Sequence, residues 1–228
     1  MSTSEDTFLS WLTEGGEQLG LDLSEDGISR LLCHYRLLVK WADKVNLTTI
    51  LDPGQMAELL YLDSAVMGKH IRENARLHDV GTGAGFPGLV IKALRPELPV
   101  TLTEARRKKV SFLKQAARDM GLAQGLEIKQ RRLGWEVADK GELWTEVVSR
   151  AAFPPPEWIR LGAPLVASGG RLWICAGTTH PEVADEEDDY PGEIKDWPPG
   201  GFSLGPVHSY RLPKTGRRRR LVTLIKNG

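Results

Sequence analysis

Residues 79–88 read DVGTGAGFPG, a run whose glycines and leading carboxylate suit a turn that holds a ligand against the chain's own backbone. Gly81, Gly83 and Gly85 let main-chain atoms approach a bound molecule without Cβ contacts and permit positive φ where the chain reverses. Read from Gly83, the stretch satisfies G-x-G-x-x-G, and an acid, Glu104, follows about 20 positions later, as a dinucleotide site requires. Read from Asp79, the same letters place a carboxylate just ahead of the first glycine, at the end of a strand. That charge opposes a pyrophosphate at a helix N-terminus and favours the ammonium and sulfonium of S-adenosylmethionine. Glu104 ends the next predicted strand, where a carboxylate can accept both ribose hydroxyls of either ligand, so it does not discriminate. Pro87 belongs in the first turn of the following helix, where its missing N–H costs nothing.

The elements that must position this turn are legible from periodicity. Ser4 before Glu5 and Asp6 predicts a helix start, with Phe8, Leu9 and Leu12 on one face. Ser24 before Glu25 and Asp26 predicts a second, along which Ile28, Leu31, Leu32, Tyr35, Leu38 and Val39 recur at helical spacing. Pro53 opens a third, running toward Ile71. Residues 1–75 are therefore expected to form an N-terminal helical cap, and residues 76–228 the ligand-binding domain, in one compact unit. From residue 76 the period changes: RLHDV, PVTLTE, LEIKQ, WTEVVSR and GRLWICA are strand-like and alternate with helical stretches, which implies right-handed βαβ crossovers and a mostly parallel sheet. GPVHSYRL and RLVTLIK follow with no helix between them. Five βα units closed by such a tail predict the α/β, Rossmann-like methyltransferase fold. Its sheet has seven strands, mostly parallel, with an antiparallel C-terminal hairpin, whereas a dinucleotide domain continues into a second parallel half.

Composition excludes several classes. With 41% apolar and 26% charged residues the chain is an ordinary globular one, and no stretch of about 18 uncharged apolar residues could cross a bilayer. The N-terminus carries acids where a secretory signal carries lysine, so a cytoplasmic location is expected. Two distant cysteines, Cys33 and Cys175, predict neither a disulfide nor a metal site, and the five histidines, at 34, 70, 78, 180 and 208, are scattered. The net charge of zero hides a bipolar chain. Arg106, Arg107, Lys108 and Lys109, and then Arg217, Arg218, Arg219 and Arg220, are basic runs, while residues 181–193 are strongly acidic within a long connection from Thr178 to Ser203.

DVGTGAGFPGLVIK followed by TLTEARRKKVSFLKQ resembles the RsmG (GidB) family of bacterial methyltransferases, which modify N7 of a guanine in small-subunit ribosomal RNA using S-adenosylmethionine. The likeness includes LLVKWADKVNLTTILDP, the LDS of residues 62–64, VVSRA at 147–151 and the terminal RRLVTLIK. It implies that Gly81 and Phe86 line the cofactor pocket, that Glu104 holds the ribose, that Leu133 and Gly134 flank the adenine, and that Arg150 lies beside cofactor and target base, where it is the best candidate for a positioning role. The implied partner is 16S ribosomal RNA or the small subunit, whose phosphates the basic runs at 106–109 and 217–220 are expected to meet; nothing in the residues demands a dimer, and no metal is expected. Three positions depart from the family pattern: Gly134 stands for a glutamate, Leu60 for a histidine, and Ala176 for a lysine. Guanine N7 already has an exposed lone pair, so attack on the methyl group needs no base, which agrees with the lack of a histidine or paired-carboxylate constellation. A noncatalytic RNA-binding protein on the same fold, or a methyltransferase with another substrate, is the alternative.

Overall fold

The computed structural model of the chain describes residues 2–42, 44–132, 143–177 and 200–228. Helices come first: α1 (Thr3–Gln18), α2 (Glu25–Ala42) and α3 (Pro53–Met56), the last passing through a π-helical turn (Ala57–Leu62) into α4 (Asp63–His70). α1 starts earlier than Ser4. Ser2 is its N-cap, the Glu5 amide donating to Ser2 Oγ at 3.3 Å, which leaves Glu5 and Asp6 in the first turn where the helix dipole favours acids. Ser24 caps α2 as expected, its Oγ accepting from the Gly27 amide at 3.1 Å.

Strands and helices then alternate: β1 (Leu77–Val80), α5 (Gly88–Leu94), β2 (Val100–Glu104), α6 (Arg107–Asp119), β3 (Leu126–Gln130), β4 (Trp144–Ser149), α7 (Pro155–Gly162) with a 3-10 turn (Ala163–Leu165), and β5 (Val166–Gly177). The hairpin of β6 (Phe202–Arg211) and β7 (Arg218–Lys226) ends the chain. β6 thus begins inside the expected long connection, and residues 178–199, including the acidic segment 181–193, lie outside the described residues. The seven strands stand in the order β3-β2-β1-β4-β5-β7-β6. β1 through β5 pair in parallel, and β7 runs antiparallel to both β5 and β6. The order reverses between β1 and β4, so the loops leaving their C-terminal ends diverge and open a crevice there.

Alternation along the strands gives the sheet two apolar faces. Leu77, Leu102, Val148 and Trp173 join Phe8, Leu12, Leu31 and Leu38 of α1 and α2 in one continuous cluster. Val147, Leu172, Ile174 and Val222 pack with Trp158 and Ile159 of α7 on the other side. Among strand residues so enclosed, Glu146 is an exception that needs partners. Fully buried in mid-β4, it accepts from Arg72 Nε at 2.7 Å, Arg171 Nη2 at 2.7 Å and Trp173 Nε1 at 2.6 Å. Among the described residues no helix is long and apolar enough to cross a membrane.

Candidate active site

The crevice at the switch point is a cleft of about 500 Å³. The glycine loop after β1 forms its floor, Glu104 and Arg106 stand at the end of β2, Lys109 reaches in from α6, and residues 150–153 after β4 close one side with Leu60 of the π-helical turn. Gly81 has φ +72°, and a Cβ added to it would lie 2.6 Å from the Ala152 Cβ, so here the β1 and β4 loops touch through a missing side chain.

Which ligand this loop was built for is decided by where its amides go. Gly81 and Thr82 donate to Thr103 O at 2.8 and 3.2 Å, and Gly85 and Phe86 donate to Thr82 O at 2.9 and 3.0 Å. Gly83 donates to Glu104 Oε2 at 3.1 Å, Gly88 to Asp79 Oδ2 at 2.8 Å, and Leu89 to Gly85 O at 2.9 Å. The amides of these seven residues, which a pyrophosphate at a helix N-terminus would draw on, are therefore committed within the protein, two of them to carboxylates. The G-x-G-x-x-G match is a coincidence of letters.

Asp79 and Gly85 are not among the residues that line the cleft. Asp79 is fully buried behind the loop, where its Oδ2 also accepts from Thr82 Oγ1 at 2.6 Å and its Oδ1 has no hydrogen-bond partner among the described residues. Burial pushes its carboxyl up to about 6; the Thr82 and Gly88 hydrogen bonds and the Arg150 charge oppose the rise, and Glu104 adds to it. Gly85 is needed for packing: with φ +99°, its missing Cβ would meet the Leu89 Cβ at 2.7 Å. Gly81, Gly83, Phe86, Glu104 and Arg150, by contrast, all converge on the cleft. Glu104 is held by the Gly83 amide and by the Arg106 amide at 2.8 Å. Leu133 and Gly134 lie outside the described residues.

The basic runs separate. Arg106 and Lys109 line the cleft, whereas Arg107 and Lys108 are exposed in the first turn of α6. The arginine run does not precede the last strand as a loop: β7 begins at Arg218. Alternation turns Arg219 inward, and its Nε lies 3.3 Å from Asp63 Oδ1. Arg219 is thus committed to an ion pair with Asp63. Ala176, in β5, pairs with Arg220 of β7.

The family described as GidB, rRNA small subunit methyltransferase G, matches residues 28–191. The chain belongs to the rRNA small subunit methyltransferase G family. A member from Myxococcus xanthus is 34% identical over 220 residues, covering 96% of this chain and 97% of its own length. Two solved structures share the family's fold with little sequence likeness. A Pyrococcus furiosus methyltransferase has a TM-score of 0.57 at 11% identity, with 88% of this chain and 99% of that one covered. An S-adenosylmethionine-dependent methyltransferase from Thiobacillus denitrificans, solved with S-adenosyl-L-homocysteine, has a TM-score of 0.52 at 13% identity, with 73% and 91% covered.

In this member of the rRNA small subunit methyltransferase G family the helical segment reaches the glycine loop through a residue that motif reading passed over. His34 of α2 is fully buried, its Nε2 2.9 Å from Ala84 O and its Nδ1 2.7 Å from the Tyr61 hydroxyl. Burial pushes the imidazole down to about 4, so it is neutral near pH 7 and can donate from Nε2 while accepting from Tyr61 at Nδ1. The signal was present, since His34 falls between Leu31 and Leu38 on the buried stripe of α2. His70 and His208, scattered in sequence, stack at 3.7 Å between ring centroids. Asp63 of the LDS stretch was the other omission; it meets Arg150 Nη1 at 3.2 Å.

Proposed function

We propose that the chain transfers a methyl group from S-adenosyl-L-methionine to N7 of a guanine in 16S ribosomal RNA. The family match over residues 28–191 carries this reading, and the committed amides of the glycine loop favour this cofactor over a dinucleotide. The residues fit a cationic ligand: Glu104 for the ribose, Gly81, Gly83 and Phe86 for the walls, and the buried Asp79 acting through its charge from behind the loop, with Gly85 keeping that loop packed. Leu133 and Gly134 would flank the adenine. When bound, the cofactor supplies an electrophilic methyl on a sulfonium. Guanine N7 carries a lone pair and no proton, so the chain need supply no general base, and no histidine lines the cleft among the described residues. Its own work is alignment and a pocket that tolerates charge moving from sulfur to purine. Arg150, 5.4 Å from the Phe86 ring, sets the edge against which the base is positioned.

RNA brings a phosphate at every nucleotide. Arg106 and Lys109 at the cleft, Arg107 and Lys108 beside it, and Arg217, Arg218 and Arg220 on the hairpin supply the cations that hold 16S RNA or the small subunit in a salt-dependent manner. The protein acts as a monomer in the cytoplasm, without a metal.

The test is calorimetric titration with S-adenosylmethionine and, in parallel, NAD, followed by transfer of labelled methyl to 16S RNA and small subunits. Binding of the first alone, with label entering RNA at guanine N7, is expected. NAD binding alone overturns the reading, and RNA binding without transfer makes the chain a noncatalytic RNA-binding protein. Affinity for S-adenosylmethionine should also fall as pH is lowered through 6, approaching tenfold per unit, because a cation binds best to ionised Asp79 and binding then releases its proton. His34, near 4, does not titrate in that window. Asp79→Asn should weaken binding and flatten the profile between pH 5 and 7; an unchanged slope in that variant would assign the effect elsewhere.

A further inference from the structure

The π-helical turn and Asp63 gather groups from three distant parts of the chain. Arg150 Nη1 donates to Asp63 Oδ2 at 3.2 Å and to the carbonyl of Leu59, inside the π-helical turn, at 3.4 Å. On the other carboxylate oxygen, Tyr210 of β6 donates its hydroxyl at 2.6 Å and Arg219 of β7 approaches at 3.3 Å. Side-chain exposure is 10% for Asp63, 17% for Arg150 and 16% for Arg219, so all three charges are largely removed from water and their geometry is tightly coupled.

A guanidinium has five N–H donors, and both contacts of Arg150 use Nη1. Nη2 and Nε are thus uncommitted among the described residues. One end of the side chain is anchored while the group as a whole lines the cleft beside Phe86. The Leu59 carbonyl that Arg150 reaches lies in the π-helical turn just ahead of Asp63, so both acceptors of Nη1 come from one short stretch of chain. Arg219 and Tyr210 occupy the second oxygen of Asp63, so the carboxylate cannot rotate to follow Arg150 without giving up both.

We propose that Asp63 is the positioning residue for Arg150, and that Tyr210 and Arg219 fix Asp63 in turn, so that the C-terminal hairpin completes the cleft through this one carboxylate. The proposal rests on the methyl-transfer reading above. It gives Arg219 a part in turnover, through Asp63.

The experiment is a double-mutant cycle in methyl transfer to small subunits, with cofactor affinity and thermal melting measured on each variant. Asp63→Asn should lower kcat at least tenfold and leave the KM for RNA and the cofactor Kd close to wild type, while its melting temperature falls because two largely buried guanidiniums lose their counter-charge; turnover is therefore compared at a temperature well below that melting point. Arg150→Lys should lower kcat similarly, and the double variant should be no slower than Arg150→Lys by more than about twofold, because both changes remove one function. Multiplied losses, or an Asp63→Asn kcat within threefold of wild type, overturn the proposal. Should Asp63→Asn fail to fold, Tyr210→Phe takes its place in the cycle: kcat about threefold lower, with no further loss on the Arg150→Lys background, is expected, and an unchanged kcat overturns it. An inactive wild type overturns the methyl-transfer reading and this inference with it; an active wild type with multiplied losses sinks the inference alone.

Discussion

Gly81→Val should abolish methyl transfer and weaken S-adenosylmethionine binding at least about a hundredfold, equivalent to about 2.7 kcal/mol, while the protein stays folded. Two costs combine. At φ +72° a β-branched residue occupies left-handed backbone that L side chains rarely adopt, and its Cβ would sit 2.6 Å from the Ala152 Cβ, in the loop that closes the cleft. The β1 and β4 loops must then separate at the point where the cofactor is to be held. Calorimetry checks the loss, and circular dichroism checks the fold. Gly81→Ala tests the cause, because adding Ala152→Gly removes the atom in the way and should recover at least part of the affinity. No recovery would leave backbone strain as the whole effect.

Glu146→Ala should be the most destabilising change at a site remote from the cleft. It strips the partner from Arg171, 12% exposed, and from the fully buried Trp173 indole, and loss of one member of a buried ionic group costs about 3–5 kcal/mol. At about 2–4 °C per kcal/mol for a chain of this size, the melting temperature should fall by roughly 10 °C. Arg72→Ala, at the other end of the same network but 47% exposed, should cost about 1 kcal/mol or less because solvent screens it. Glu146→Gln keeps an acceptor for Trp173 and should lie between them. Equal losses for Glu146→Ala and Arg72→Ala would show that the network is not energetically buried.

Much of this architecture was legible because local signals agreed with it. Apolar recurrence at helical spacing marked α2, and the DVGTGAGFPG turn fell between a strand and a helix. The hairpin followed from two strand-like runs with no helix between them, which separated this sheet from a dinucleotide-binding one. Boundaries were less secure where two residues offered the same chemistry. Ser2 and Ser4 can both cap a helix, and only the placement of the Glu5 amide chose the first. The arginine run is the clearest case of a pattern that sequence cannot divide. Four identical letters do not say which of them strand alternation turns toward Asp63, and it is Arg219.

The sequence by itself determined the order of the elements, the position of the ligand loop and the acids available to it, since each depends on residues within one turn or strand. What the loop amides donate to was decided only by tertiary structure. Thr103 and Glu104 take those of Gly81, Thr82 and Gly83 because β2 lies beside β1, and the dinucleotide pattern could not register that pairing. The same holds for His34, 50 residues from the Ala84 carbonyl, and for Asp63, joined to Tyr210 across 147. Contacts of that separation carry no local periodicity. They form because helices and strands must bury their apolar faces against one another, and whatever polar groups those faces bring along must then find partners in the same place.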